Sequence, residues 1–124
     1  MKITSYRQLE VWKNGMAIAR SAYGAVEHMS RREEYRLTSQ IVRAAVSIPA
    51  NIAEGHTRAT RKEYAHFVSI ARGSTAELET LLLLAHQVGF LPSEIVEPLI
   101  EKVEQVGRML TRLHEKLKVP AAES

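Results

Sequence analysis

Glu63 and His66, three positions apart in Glu63-Tyr64-Ala65-His66, are the pair best spaced for chemistry. On a helix this spacing sets a carboxylate and an imidazole on one face. Di-iron bundles use the motif twice, with two further inward glutamates completing the site. This chain holds one copy, and Glu63 also stands three residues after Thr60, where a glutamate caps a helix start. His28, His56 and His114 fall on other segments, His86 lies twenty residues beyond His66 on the same one, and none shares a ligand spacing. Cysteine is absent, which removes disulfides, thiol nucleophiles and Cys-based metal sites. No phosphate-binding Gly-rich loop, dinucleotide fingerprint or nucleophile elbow occurs. The expectation is a protein without catalytic residues, metal or cofactor, with an enzyme or metalloprotein as the minor alternative.

A polar stripe comes next. Gln40, Arg43, Ser47, Asn51 and Glu54 follow helical steps of three and four and align on one face. Ser69, Arg72, Ser74 and Glu77 answer from the following segment. Arg43 with Glu77, or Arg72 with Glu54, would make interhelical ion pairs. Buried pairs of this kind specify register more reliably than they add stability, and losing Arg43 would then cost about 3–5 kcal/mol. The competing reading is a solvated helix face.

Basic residues form two groups: Arg31, Arg32 and Arg36 before this segment, and Arg58, Arg61 and Lys62 after it, with Tyr64 nearby. A helix between them sets the groups about 30 Å apart. Each is a candidate phosphate contact, though less dense than in strong nucleic-acid binders. The net charge is +3. Residues 1–72 carry 12 Lys/Arg against 6 Glu, and residues 73–124 carry 5 against 8.

The elements that must position these groups are helices. The 124 residues suit one domain, with an ordered core over about 6–118 and a fraying tail at 119–124. All 14 acidic residues are Glu, which tolerates helix interiors better than Asp does. Breaks at 30–32, 55–60 and 89–93 predict helices over 7–29, 33–54, 60–88 and 93–118. Ser5/Gln8, Ser30/Glu33 and Thr60/Glu63 have capping-box spacing, and Gly55 and Gly89 suit left-handed stops. The apolar stripes are Leu9, Trp12, Met16, Ala19, Tyr23, Val26; Leu37, Ile41, Ala44, Ile48, Ile52; Tyr64, Phe67, Ala71, Ser74, Leu78, Leu81, Ala85, Val88; and Val96, Leu99, Val103, Val106, Leu110, Leu113, Leu117. No strand pattern occurs. The prediction is an all-α, up-down-up-down antiparallel four-helix bundle, kinked in its second helix at Pro49. Leu81, Leu82, Leu83 and Leu84 point about 100° apart, so they cannot share one core and predict a subunit interface. No apolar run reaches membrane-spanning length and no signal region follows Met1, so a cytoplasmic protein is expected.

Two long strings, Ser39-Gln40-Ile41-Val42-Arg43-Ala44-Ala45-Val46-Ser47-Ile48-Pro49-Ala50-Asn51-Ile52-Ala53-Glu54-Gly55 and Ile70-Ala71-Arg72-Gly73-Ser74-Thr75-Ala76-Glu77-Leu78-Glu79-Thr80, resemble signatures of the four-helix-bundle family of 23S rRNA intervening-sequence proteins. Leu9-Glu10-Val11-Trp12-Lys13 and Tyr35-Arg36-Leu37 fit the same family. The resemblance implies a bundle that assembles into a ring, typically a pentamer, with no recognised catalytic residues. Some members are encoded within intervening sequences of rRNA genes. A similar fold serves diversity-generating retroelements, where a basic ring engages a reverse transcriptase and nucleic acid; this chain is less basic than that type. The implied partners are further copies of the chain, RNA or DNA, and a reverse transcriptase or other protein, with no membrane. A protein-binding scaffold without a nucleic-acid role is the main alternative.

Overall fold

A computed structural model describes residues 4–118, with the backbone alone for 33–35. The predicted tail at 119–124 lies outside the described residues. Among these there are four long helices and no strand: α1 (Glu10–Val26), α2 (Ser39–His56), α3 (Arg61–Gln87) and α4 (Ser93–Lys118). Each helix packs on the next and α4 packs back on α1, so the four enclose one core. Ile18, Ile41, Ile48, Leu78, Leu82, Val103 and Leu110 are fully buried there.

The contacts between neighbours set their register. Asn14 Nδ2 on α1 lies 3.8 Å from Met109 Sδ on α4, while Ser21 receives Lys102 Nζ at 3.3 Å. Ser47 on α2 meets Ser74 on α3, and Gly55 meets Phe67. Residue numbers thus rise along one helix as they fall along its neighbour.

The chain enters α1 through a 3-10 turn, Tyr6–Gln8. The Ser5/Gln8 box forms on this turn: Arg7 N donates to Ser5 Oγ and Ser5 N to Gln8 Oε1, each at 3.2 Å. Tyr6 meets Trp12 edge-on at 5.4 Å. The buried stripe of α1 is Val11, Gly15, Ile18, Ala22 and Ala25, offset from the predicted one. Leu9, Trp12, Met16, Ala19 and Val26 are half-buried beside it, and Tyr23 is 57% exposed. The reason lies at Gly15, where a Cβ would stand 3.4 Å from both Ile48 Cγ2 and Pro49 Cβ. The small-residue face of α1 is the one that lets α2 approach closely.

α2 begins at Ser39 and not at 33. A 3-10 turn at Arg31–Glu33 and a π turn at Glu34–Thr38 precede it, so the Ser30/Glu33 spacing marks the 3-10 turn. Thr38 is already helical, and α2 continues from it without a side-chain cap. Leu37, Ile41, Ala44, Ile48 and Ile52 are buried, as their spacing requires. The helix runs through buried Pro49, which leaves the carbonyl of Ala45 without its helical donor.

Gly55 lies inside α2 and does not end it in the left-handed conformation; among the described residues only Gly89 has positive φ, at 85°. Gly55 serves close approach instead. A Cβ there would stand 2.8 Å from Phe67 Cβ and 3.0 Å from Tyr64 Cδ1. Thr60 caps α3: Glu63 N donates to Thr60 Oγ1 at 3.1 Å, and that hydroxyl donates to Glu63 Oε1 at 3.0 Å. At the other end Phe90 N returns to Ala85 O at 2.8 Å across the left-handed Gly89, the bonding of a Schellman stop. In α4, Val96, Leu99, Val103, Val106 and Leu110 form the buried seam, and Pro98 lies on the exposed side. Among the described residues no helix is long and apolar enough to cross a membrane.

Candidate functional site

The polar stripe separates into two parts. Ser47 Oγ and Ser74 Oγ are 2.8 Å apart. Asn51 Nδ2 donates to Ser47 O at 2.8 Å and to Ser47 Oγ at 2.9 Å, and Ser74 Oγ donates to Ile70 O at 3.2 Å. These short residues fill the α2–α3 seam. The longer ones stay outside it. Gln40 bonds the carbonyl of Arg36, and Glu54 pairs with Arg58 at 2.9 Å. Neither predicted interhelical ion pair, Arg43–Glu77 or Arg72–Glu54, is present. Serine-to-serine contact brings the helices too close for long charged side chains between them. Arg43 and Glu77 are exposed, and Arg72 is half-buried on the side of α3 that meets α4.

The leucine run divides as its geometry demands. Leu81 and Leu82 are buried, while Leu83 and Leu84 are 41% and 45% exposed. Val46 on α2 and Ile70 on α3 are also exposed. Val46 lies one turn from Arg43 and Ala50, and Ile70 one turn from Gly73, with Glu77 one turn further. The Ser47–Ser74 bond joins the two helices beside them. The outer surface over this seam is therefore apolar at its centre and carries one unpaired charge of each sign.

The two basic groups sit at opposite ends of α2. Arg31 and Arg32 are exposed on the 3-10 turn, and Arg36 is exposed on the π turn. Arg58 is committed within the chain: it pairs with Glu54, stands 4.0 Å from Glu63 and lies 4.7 Å over the Phe67 ring. Arg61 Nη2 donates to Lys116 O at 2.7 Å, tying α3 to the end of α4. Lys62 is exposed beside them. Glu63, with its cap and Arg58, is occupied, and His66 meets Phe67 edge-on at 5.4 Å. Among the described residues no three His or Glu side chains gather where they could hold a metal.

A third basic feature escaped sequence reasoning. Arg72, Arg108 and Arg112 line one groove of about 890 Å³ between α3 and α4, with Ser69, Gly73, Thr75, Gly107 and Thr111. Glu79 and Glu104 also border it. The available signal was Arg108 and Arg112, one turn apart behind a mid-helix glycine. The acidic count of the C-terminal half concealed it.

Fold and surfaces together define a small all-helical bundle with an exposed apolar face on α2–α3 and a basic groove on α3–α4. Residues 7–112 match the family described as 23S rRNA-intervening sequence protein, and the chain belongs to that family. Among solved structures it is similar to a protein of unknown function from the S23 ribosomal protein family of Bacteroides thetaiotaomicron. That likeness has a TM-score of 0.79 at 21% identity, over 84% of this chain and 97% of the other; at this identity it speaks for the fold. No curated protein matches the chain.

Proposed function

We propose that this protein is a non-enzymatic, ring-forming bundle of the cytoplasm, most consistent with a pentamer, that holds RNA or DNA on its basic surface. The observation that supports assembly is the α2–α3 face. Val46, Ile70 and Leu84 are each about two-fifths exposed, a grouping that marks interaction surfaces more often than it marks solvent, while Leu83 turns toward α4. Rings need heterologous contacts, in which two different patches meet. Unpaired Arg43 and Glu77 beside the apolar centre supply the polarity for such a contact. Static light scattering at micromolar concentration tests this. The expected result is a defined multiple of the 13.9 kDa chain, reduced by Leu84→Glu. A wild-type monomer would overturn it.

Repetition around a ring turns weak phosphate contacts into useful avidity where one polyanion spans several subunits. Binding is then largely independent of sequence and falls steeply with salt, because phosphate contacts release counterions. Anisotropy with mixed-sequence RNA and DNA checks this. One observation favours the scaffold alternative, in which a protein such as a reverse transcriptase is the partner: Arg58 and Arg61 already hold groups of their own chain.

A further inference from the structure

We infer that the groove between α3 and α4 takes the phosphodiester backbone of one RNA or DNA strand, with Arg72, Arg108 and Arg112 as the phosphate contacts. This rests on the nucleic-acid part of the function proposed above and moves its principal contact away from both ends of α2.

The three guanidinium groups line a single groove, and among the described residues none makes an ion pair or hydrogen bond within the chain. Binding a phosphate therefore costs them no protein partner. Arg58 would have to leave Glu54 and the Phe67 ring, and Arg61 the Lys116 carbonyl. Guanidinium groups suit phosphate because their fixed N–H fork matches two oxyanions at once.

The register gathers the arginines at one end. Thr75 faces Gly107, whose added Cβ would stand 3.6 Å from Thr75 Oγ1, and Arg61 meets Lys116 further along the same pair of helices. Arg72 precedes Thr75 and Arg108 and Arg112 follow Gly107, so all three rise from the half of the groove nearer Lys116. Glu79 and Glu104 stand in the other half. Seven residues separate Arg72 from Glu79, about 10 Å of helix. Glu104 is one turn of α4, about 6 Å, from Arg108 without pairing with it, so three arginines against two glutamates leave the groove net positive, with the excess at the end nearer Lys116. Ser69, exposed and without an intrachain hydrogen bond, adds a hydroxyl donor at the positive end.

The shape selects a strand over a small molecule. Small ligands are held in concave sites that bury most of their surface; this is a trough open along its length. A linear polyanion lies along such a trough with successive phosphates facing Arg108 and Arg112, one helical turn apart. No aromatic residue lines it, so bases find no stacking platform and recognition stays with the backbone. Gly73 leaves the α3 wall low, since a Cβ there would meet nothing within 4 Å.

The test is fluorescence anisotropy with short mixed-sequence single strands of RNA and of DNA, at low and at physiological salt. It compares the wild-type full chain with Arg72→Ala/Arg108→Ala/Arg112→Ala and with Arg58→Ala/Lys62→Ala. Circular dichroism and light scattering confirm that fold and assembly are kept. The groove variant should bind at least ~10-fold more weakly with a flatter salt slope. The Arg58/Lys62 variant should stay within ~3-fold of wild type. Should the triple variant lose its fold or assembly, Arg108→Glu, at an exposed position, carries the same comparison. Loss with either strand supports the inference, and the stronger arm names the source of the phosphates. If wild type binds and the groove variants bind equally well, the groove inference falls while the nucleic-acid reading stands. If wild type binds neither strand at low salt, both fall.

Discussion

Ser47 on α2 and Ser74 on α3 share a hydrogen bond of 2.8 Å between their hydroxyls. Neither residue carries charge, yet together with Asn51 they occupy the position where sequence spacing suggested an ion-pair network. Small hydroxyls set the distance between the two helices, and the charged residues of the stripe are displaced to the surface by that closeness.

Ser47→Ala removes the bond to Ser74 and one of two Asn51 contacts, while Asn51 keeps the Ser47 carbonyl. The expected cost is about 1 kcal/mol. Thermal denaturation should show a melting temperature lower by a few degrees, with helix content unchanged.

Two glycines should respond to alanine with opposite signs. Gly55→Ala improves helix propensity but sets a Cβ 2.8 Å from Phe67 Cβ. Separating the helices should cost about 1–3 kcal/mol. Gly73→Ala meets nothing within 4 Å and should gain about 0.5–1 kcal/mol from propensity alone. Urea titration of both variants gives the comparison directly.

Leu82 and Leu84 separate folding from assembly. Leu82→Ala empties a fully buried site and should cost about 2–5 kcal/mol. Leu84→Ala, at a position 45% exposed, should leave chain stability within about 0.5 kcal/mol while weakening self-association. Denaturation and light scattering on the same preparations read the two effects.

Arg43→Ala should change stability by no more than about 0.5 kcal/mol, because Arg43 is exposed and makes no ion pair. A loss near the ~3–5 kcal/mol of a broken buried pair would show that the residue is covered in the assembled protein. Unfolding at two protein concentrations distinguishes these cases.

Tyr64 packs against Gly55 and His56, and burial raises its phenol above the usual value of 10.0. The folded chain therefore retains this proton at pH values where the unfolded chain gives it up. The associated stability is fully present below about pH 10 and is lost as pH rises through the folded-state value. Tyr64→Phe should melt with a shallower decline between neutral and strongly alkaline pH than wild type.

The sequence made much of this architecture readable, and the exceptions share one cause. The stripes of α2 and α4 were legible because Ile, Leu and Val mark them without ambiguity. In α1 two adjacent stripes both have helical spacing, and only contact with Ile48 and Pro49 at Gly15 chooses between them. Gly55 looked like a helix stop because glycine often is one; its true neighbours, Tyr64 and Phe67, come from another helix. Arg72, Arg108 and Arg112 are distant in sequence and meet only when α3 and α4 pair. What spacing within one helix could decide was visible, and what required a second helix was not.

The order of the helices around the core bears on how fast the chain reaches it. α2 and α3 follow one another across a short turn and make the most extensive pairing, while α1 and α4 make the least extensive of the four. Closing a short loop costs little entropy, whereas bringing α1 to α4 spans most of the chain. The α2–α3 hairpin is thus the natural folding nucleus and the α1–α4 junction the last to close. Damage to the nucleus slows folding, and damage elsewhere mainly speeds unfolding. A substitution at Gly55 should prolong the time each new chain spends unfolded; one at Asn14 or Met109 should shorten the life of the folded state.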